Sequence, residues 1–159
     1  MEQKTLAKWL KVILIGVTIC GLIVFFVIVP AIGKSTVEEW PEFANRYWPW
    51  LIFSWLFAIP CFIIVYFCWK IVDNIGKDQS FCLQNAEHFK WISLLAGSDS
   101  RFLFIGNIVL MFMNMNHAGV ILRSLVIVFI GIAVTIAAAT LSHLVKKAAD
   151  LQQESDLTI

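Results

Sequence analysis

Four stretches of this chain are too long and too apolar to belong to a water-soluble core. The hydrocarbon layer of a bilayer is about 30 Å thick, and an α-helix rising 1.5 Å per residue crosses it with about 20 residues. Residues 10–32, 48–72 and 120–145 each meet that length with few charges. A fourth run, 89–116, is apolar on both sides of a polar patch, Ser98-Asp99-Ser100-Arg101. That patch fits one long tilted helix, or an interfacial helix followed by a short span. The long helix is the favoured reading, with the half nearer the basic loops projecting from the bilayer. Asp99 and Arg101 would then move towards the membrane surface, where long side chains snorkel. Two residues apart, they would not face each other.

The fold expected is all-α: a polytopic membrane protein with a four-transmembrane-helix bundle. It forms a single membrane domain over 1–159, with a loop at 73–88 and a tail at 146–159. Composition agrees. Hydrophobic residues make up 60% of the chain and charged ones 14%, against about 25% charged in a soluble domain. The first run is longer than the roughly 7–15 apolar residues of a cleaved signal, so it reads as a retained span although Ala31-Ile32-Gly33 resembles a cleavage site. In the second run Tyr47, Trp48 and Trp50 mark one interface and Trp69 with Lys70 the other. Pro60, near its middle, predicts a kink and a freed carbonyl, for which Ser54 or a neighbouring helix is a candidate partner. In the fourth run Gly131, Thr135 and Ala139 recur every fourth residue, a candidate small-residue seam for helix packing or for a homo-oligomer.

Orientation follows from the distribution of Lys and Arg in short loops. Four spans collect Lys4, Lys8, Lys11, Lys70, Lys77, Lys90, Lys146 and Lys147 on one side, and leave Lys34 and Arg46 on the other. Both termini are therefore expected in the cytoplasm, in the cell membrane. Very little chain remains outside to build a receptor domain.

The net charge of +1 carries no basic stripe, so direct nucleic-acid binding is not expected. There is no phosphate-binding loop, nucleophile elbow or HExxH motif, so the chain is not expected to be an enzyme or to carry a cofactor. Cys20, Cys61, Cys68 and Cys82 form no disulfide framework, and Cys61 and Cys68 read as small apolar side chains that could share a helix face. His88, His117 and His143 fall on different sides of the membrane and make no metal cluster. The polar residues within the membrane are functional candidates by default: Asp99, Arg101, Asn107 and Arg123, with Asn114 and Asn116 beside them. Asn107 could instead bond across helices, and Arg123 could pair with an outer carboxylate or lipid phosphate.

On the basic side two segments stand apart. In the loop, Gly76 suits a helix end, Asp78 or Ser80 a helix start, and Phe81 is an apolar residue beside that start. The tail turns acidic yet carries Leu151, Leu157 and Ile159, apolar side chains with little reason to sit in water. Residues Gly76…Ser80-Phe81…Gln84-Asn85-Ala86 resemble the Gly-x-Pro-Phe…Glu-Asn stretch of the YoaS-like family, small four-span bacterial membrane proteins of unknown function. Leu151-Gln-Gln-Glu154-Ser-Asp156-Leu157-Thr-Ile159 is similar to that family's Leu-Gln-x-Glu-Asn-Asp-Leu-Thr-Ile ending. Gln79-Ser80 stands in place of the proline step, Gln84 for the glutamate and Ser155 for the asparagine.

Genes of this family often neighbour a small helix-turn-helix regulator, so the resemblance implies a regulatory or adaptor protein that holds such a regulator at the membrane. Phe81, Asn85, Leu151, Glu154, Asp156, Leu157 and Ile159 are its candidate docking residues. A self-protection or membrane-stress tolerance protein is the alternative, and a small-solute transporter ranks lower.

Overall fold

The computed structural model describes residues 3–116 and 118–157, and the side chains of all of these except 118, 156 and 157. Helix α1 (Gln3–Ile23) passes through one π-helical turn, Val24–Ile28, into α2 (Val29–Glu39). A 3₁₀ turn, Pro41–Arg46, leads to α3 (Tyr47–Gly76), followed by α4 (Leu83–Phe112) and α5 (Ala118–Leu157). Among the described residues four helical stretches are long and apolar enough to cross a membrane, with α1 and α2 counting as one. The protein is thus all-helical and multi-pass.

The π turn has a local cause. The Phe25 carbonyl would normally accept from the Val29 N–H, but that N–H is given to Val24. The next donor along would be residue 30, a proline without an N–H. An orphan carbonyl within a membrane span is costly. Trp55 of α3 supplies the missing donor, its Nε1 lying 3.2 Å from the Phe25 oxygen. Further along, Gly33 lets α2 meet α3 closely: a Cβ there would lie 2.7 Å from the Tyr47 ring and 3.0 Å from that of Trp50. Pro60 sits inside α3, which continues as one helix to Gly76. Ser54 does not relieve it, because its hydroxyl donates to Trp50 one turn back, at 3.0 Å.

The helix backbones pack in chain order: α1 and α2 on α3, α3 on α4, and α4 on α5, the last pair in the most extensive contact. Ile71, Ile92 and Ala138 form a small core where α3, α4 and α5 converge, ringed by Ile64, Phe67, Cys68, Ile75 and Phe89. The face that α5 turns to α4 runs Ser124, Val128, Gly131, Thr135, Ala138, Ser142, Val145 and Ala149, in alternating steps of four and three. That is the spacing of two helices crossing at a shallow angle. The every-fourth-residue seam is therefore corrected at its third member. Steps of four overshoot a full turn by about 40° each, so Ala139 has rotated to an exposed position and Ala138 takes its place. Gly131 faces the side chain of Ser100, and Thr135 faces Gly97.

Both tight connections end in the same way. At α3, Asp78 adopts φ 60°, its N–H meets the Ile75 carbonyl at 3.1 Å and the Gln79 N–H meets that of Asn74 at 2.9 Å. At α4, Asn114 adopts φ 55°, with N–H bonds from Asn114 to Met111 and from Met115 to Leu110. These are Schellman closures with Asp and Asn in the left-handed position that glycine usually fills. Gly76 has no positive φ and is simply the last residue of α3. The start of α4 also departs from expectation. Its cap is Cys82, without a side-chain bond, rather than Asp78 or Ser80.

Candidate functional site

At the end of the molecule where Gln3 and the tail meet, the 77–82 turn is held from beneath by two asparagines. Asn85 is completely buried and Asn74 nearly so, at 0% and 8% exposure. Asn74 Nδ2 donates to Asn85 Oδ1 at 2.8 Å, and Asn85 Nδ2 donates to the carbonyls of Gln79 and Ser80 at 3.1 and 3.0 Å. A buried amide has four hydrogen-bonding positions, and three of those on Asn85 are engaged in holding this turn. Ser142 of α5 donates to the Ala86 carbonyl at 2.7 Å, tying the fourth span to the same point. From α1, the amide of Gln3, oriented to donate, reaches Asp78 Oδ1, Ser80 Oγ and the Ile75 carbonyl, each at 3.2 Å. Lys11 pairs with Asp73 at 2.5 Å and lies 5.3 Å over the Trp69 ring.

Above this support lies a cleft of about 520 Å³, walled by Gln3, residues 78–84 and, from the tail, Ala149, Gln152 and Gln153. Loop and tail, distant in sequence, thus share one concave surface. Its walls offer neutral amides, the Ser80 hydroxyl, the Cys82 thiol, one carboxylate at Asp78 and the exposed ring of Phe81. Leu151 is exposed on the tail helix nearby. Amide groups with isolated apolar anchors suit a peptide or helix surface; the Cys82 thiol is free, and the described lining residues include no Lys, Arg or His.

The candidate docking residues separate here. Phe81 and Leu151 are exposed and Glu154 lies on the outside of the tail helix. Asn85 is corrected: enclosed on all sides, it shapes the turn and has no surface to offer a partner. Asp156 and Leu157 continue the helix with side chains outside the described set, and Ile159 lies outside the described residues altogether.

The polar residues inside the spans also separate. Asn107, 5% exposed, donates to the Leu103 carbonyl and accepts from Asn116 at 2.8 Å, so it anchors the α4–α5 turn. Arg46 donates to the Asn114 carbonyl of the same turn. Arg101 and Arg123 are exposed. Asp99 was expected near the membrane surface, and packing places it elsewhere. It lies beside Cys61 and Pro60, midway along the apolar run of α3, while its neighbour Ser100 meets Gly131 within the apolar run of α5. The residues before the patch are needed to cover α3 and α5 down to Ile75 and Ala149, and that sets the register. The Cys61 thiol donates to Asp99 Oδ2 at 3.4 Å. Oδ1 is buried without a partner among the described residues.

Asn74, Gln3 and Ser142 were not singled out from the sequence. An asparagine at the end of an apolar helix, eleven residues before a second one across a turn, was the available signal for Asn74. Among the described residues no three His, Cys, Asp or Glu side chains are placed to hold a metal ion, and all four cysteines are free thiols.

The helices and this turn define a multi-pass membrane protein organised about a tightly built connection between its second and third spans. The chain belongs to the family described as "Protein of unknown function (DUF2975)", whose model matches residues 31–159. It is similar to "Uncharacterized membrane protein YoaS" of Bacillus subtilis (strain 168), 32% identical over 162 residues, covering 99% of each chain. No solved structure matches it.

Proposed function

We propose that this protein is a non-enzymatic membrane adaptor that holds a soluble regulatory protein, of the small helix-turn-helix type, against the cytoplasmic face. One observation carries the reading. The two segments most like the family's own, the 76–86 loop and the tail from Leu151 onward, contribute residues 78–84 and Gln152 with Gln153 to a single cleft at one end of the helices. That end also bears most of the lysines outside the spans, which supports its being cytoplasmic. Phe81 and Leu151 would be the apolar anchors, and the amides of Gln3, Gln152 and Gln153 would provide the polar rim. Binding energy in such interfaces concentrates in a few apolar or aromatic anchors.

The test is gentle purification from the native membrane of the full-length protein, a form lacking residues 150–159, and Phe81→Ser. A small DNA-binding protein that travels only with the full-length form is the expected result. Recovery of the same partner with all three forms would remove the cleft from the account. Recovery of no partner with any form would remove the adaptor reading itself.

A further inference from the structure

A second concavity lies inside the apolar zone, on the flank of the α3–α4 pair. It measures about 260 Å³ and is lined by Leu56, Pro60, Ser98, Asp99 and Phe102. Three features make it more than a packing gap. Asp99 is only 6% exposed, and its Oδ1 has no hydrogen-bond partner among the described residues. A buried polar atom left unpaired costs about 1–3 kcal/mol, and more when charged. Ser98 spends its hydroxyl proton on the Leu95 carbonyl at 2.9 Å, so its oxygen remains as an acceptor at the cavity wall. Pro60 has no N–H for the carbonyl of Leu56 one turn back, which removes that carbonyl's usual helical donor. Acceptors thus gather here, Ser98 Oγ at the wall and the unpartnered Asp99 oxygen buried just behind it, beside the helical step that Pro60 leaves without a donor. Around them the walls are apolar, and Leu56 and Phe102 are exposed on the flank that faces lipid.

We infer that this cavity is an intramembrane binding site for a compact lipophilic amine. An ammonium group supplies what is missing: an N–H donor for Ser98 Oγ at the wall, a second for Asp99 Oδ1 once the carboxyl turns about χ2 to bring that oxygen out of its buried position, and a positive charge opposite a lone carboxylate in a medium that screens poorly. The apolar body of the ligand would lie against Leu56, Pro60 and Phe102. The volume falls just under the range of about 300–1,000 Å³ usual for ligand pockets, so the occupant is small. A metal ion fits less well, because Asp99 is the single carboxylate and the Cys61 proton is already directed at its other oxygen. The site lies at mid-helix, away from the terminal cleft, and stands or falls separately from the adaptor reading.

The probe is 1-aminoadamantane, a caged hydrocarbon with one amino group, measured against 1-adamantanol, which has the same cage and no charge. Binding to the full-length protein in lipid nanodiscs is followed by saturation-transfer NMR. The amine is expected to bind saturably and at least tenfold more tightly than the alcohol. Asp99→Asn, which keeps the size of the side chain, should erase that preference. Leu56→Trp leaves Asp99 intact but fills the cavity from α3, and should abolish binding of both probes even if Asp99→Asn folds poorly. Equal binding of amine and alcohol to the unaltered protein would overturn the assignment. So would undiminished amine binding in a folded Asp99→Asn or Leu56→Trp variant.

Discussion

Asn85 shows how a single residue can be conspicuous in the sequence and misread there. It stands out because it falls in the Gln84-Asn85 stretch that resembles the family's loop, which makes it a candidate docking residue. The structure gives it the opposite task. Its amide closes the 77–82 turn through Gln79 and Ser80 on one side and Asn74 on the other. A one-dimensional reading cannot supply those partners, because two of them are backbone carbonyls whose direction depends on the left-handed Asp78. Asn85→Ala would leave two carbonyls without their partner and take from the Asn74 amide its shortest bond, with Gln84 Oε1 at 3.4 Å still to hand. Each such loss costs about 1–3 kcal/mol where water cannot replace it, and with partial access to water the whole should come to about 2–4 kcal/mol. Asn85→Asp should be no milder, since it turns an oxygen towards the two carbonyls. Chemical unfolding in detergent, read by tryptophan fluorescence, should place both variants well below the unaltered protein, with faster proteolysis within 77–82. Stability equal to the unaltered protein in both would mean that the turn does not depend on this amide.

At the scale of helices, the number and type of elements were legible because length and apolarity are properties of a run and do not depend on what it packs against. Which face packs was less legible. In the 120–145 run of α5 most residues are apolar on every side, so the pattern that reveals the buried side of a soluble helix is weak. The small residues Gly131, Thr135 and Ala139 were the only guide, and they gave the right side but the wrong phase after two steps. Adjacent alanines now provide a sharp test. Ala138, 5% exposed, lies in the core with Ile71 and Ile92, whereas Ala139 is exposed. Ala138→Leu must force extra volume into that contact, at a cost of about 1–3 kcal/mol. Ala139→Leu adds the same atoms to a surface that faces lipid, and should change stability by less than about 0.5 kcal/mol. The same unfolding measurement separates the two. Equal effects would show that α5 packs in some other phase.

At the scale of the whole molecule, the helices differ greatly in how much of each the bilayer needs. Helix α5 has 40 residues, about 60 Å at 1.5 Å per residue, and the hydrocarbon core takes about 30 Å of it. Its apolar run ends at Lys146-Lys147, so the surplus lies towards Leu157, at the end where the 77–82 turn and Gln3 are also found. This end is rich in lysine, and the 41–46 turn at the opposite end holds Glu42 and Arg46. The positive-inside bias predicts that the cleft faces the cytoplasm and the 41–46 turn faces outwards. In a form with Cys20, Cys61, Cys68 and Cys82 replaced by alanine, single cysteines are introduced by Ala44→Cys, Phe81→Cys and Leu151→Cys. A membrane-impermeant maleimide added to intact cells should label the Ala44 variant alone, and inverted vesicles should reverse the pattern. The two cleft positions must behave alike, because the tail and the loop share one surface. If they label from opposite sides, α5 does not run beside α4 as it does here. If all three reverse together, the packing stands and the protein is mounted the other way, with its cleft outside and out of reach of any cytoplasmic regulator.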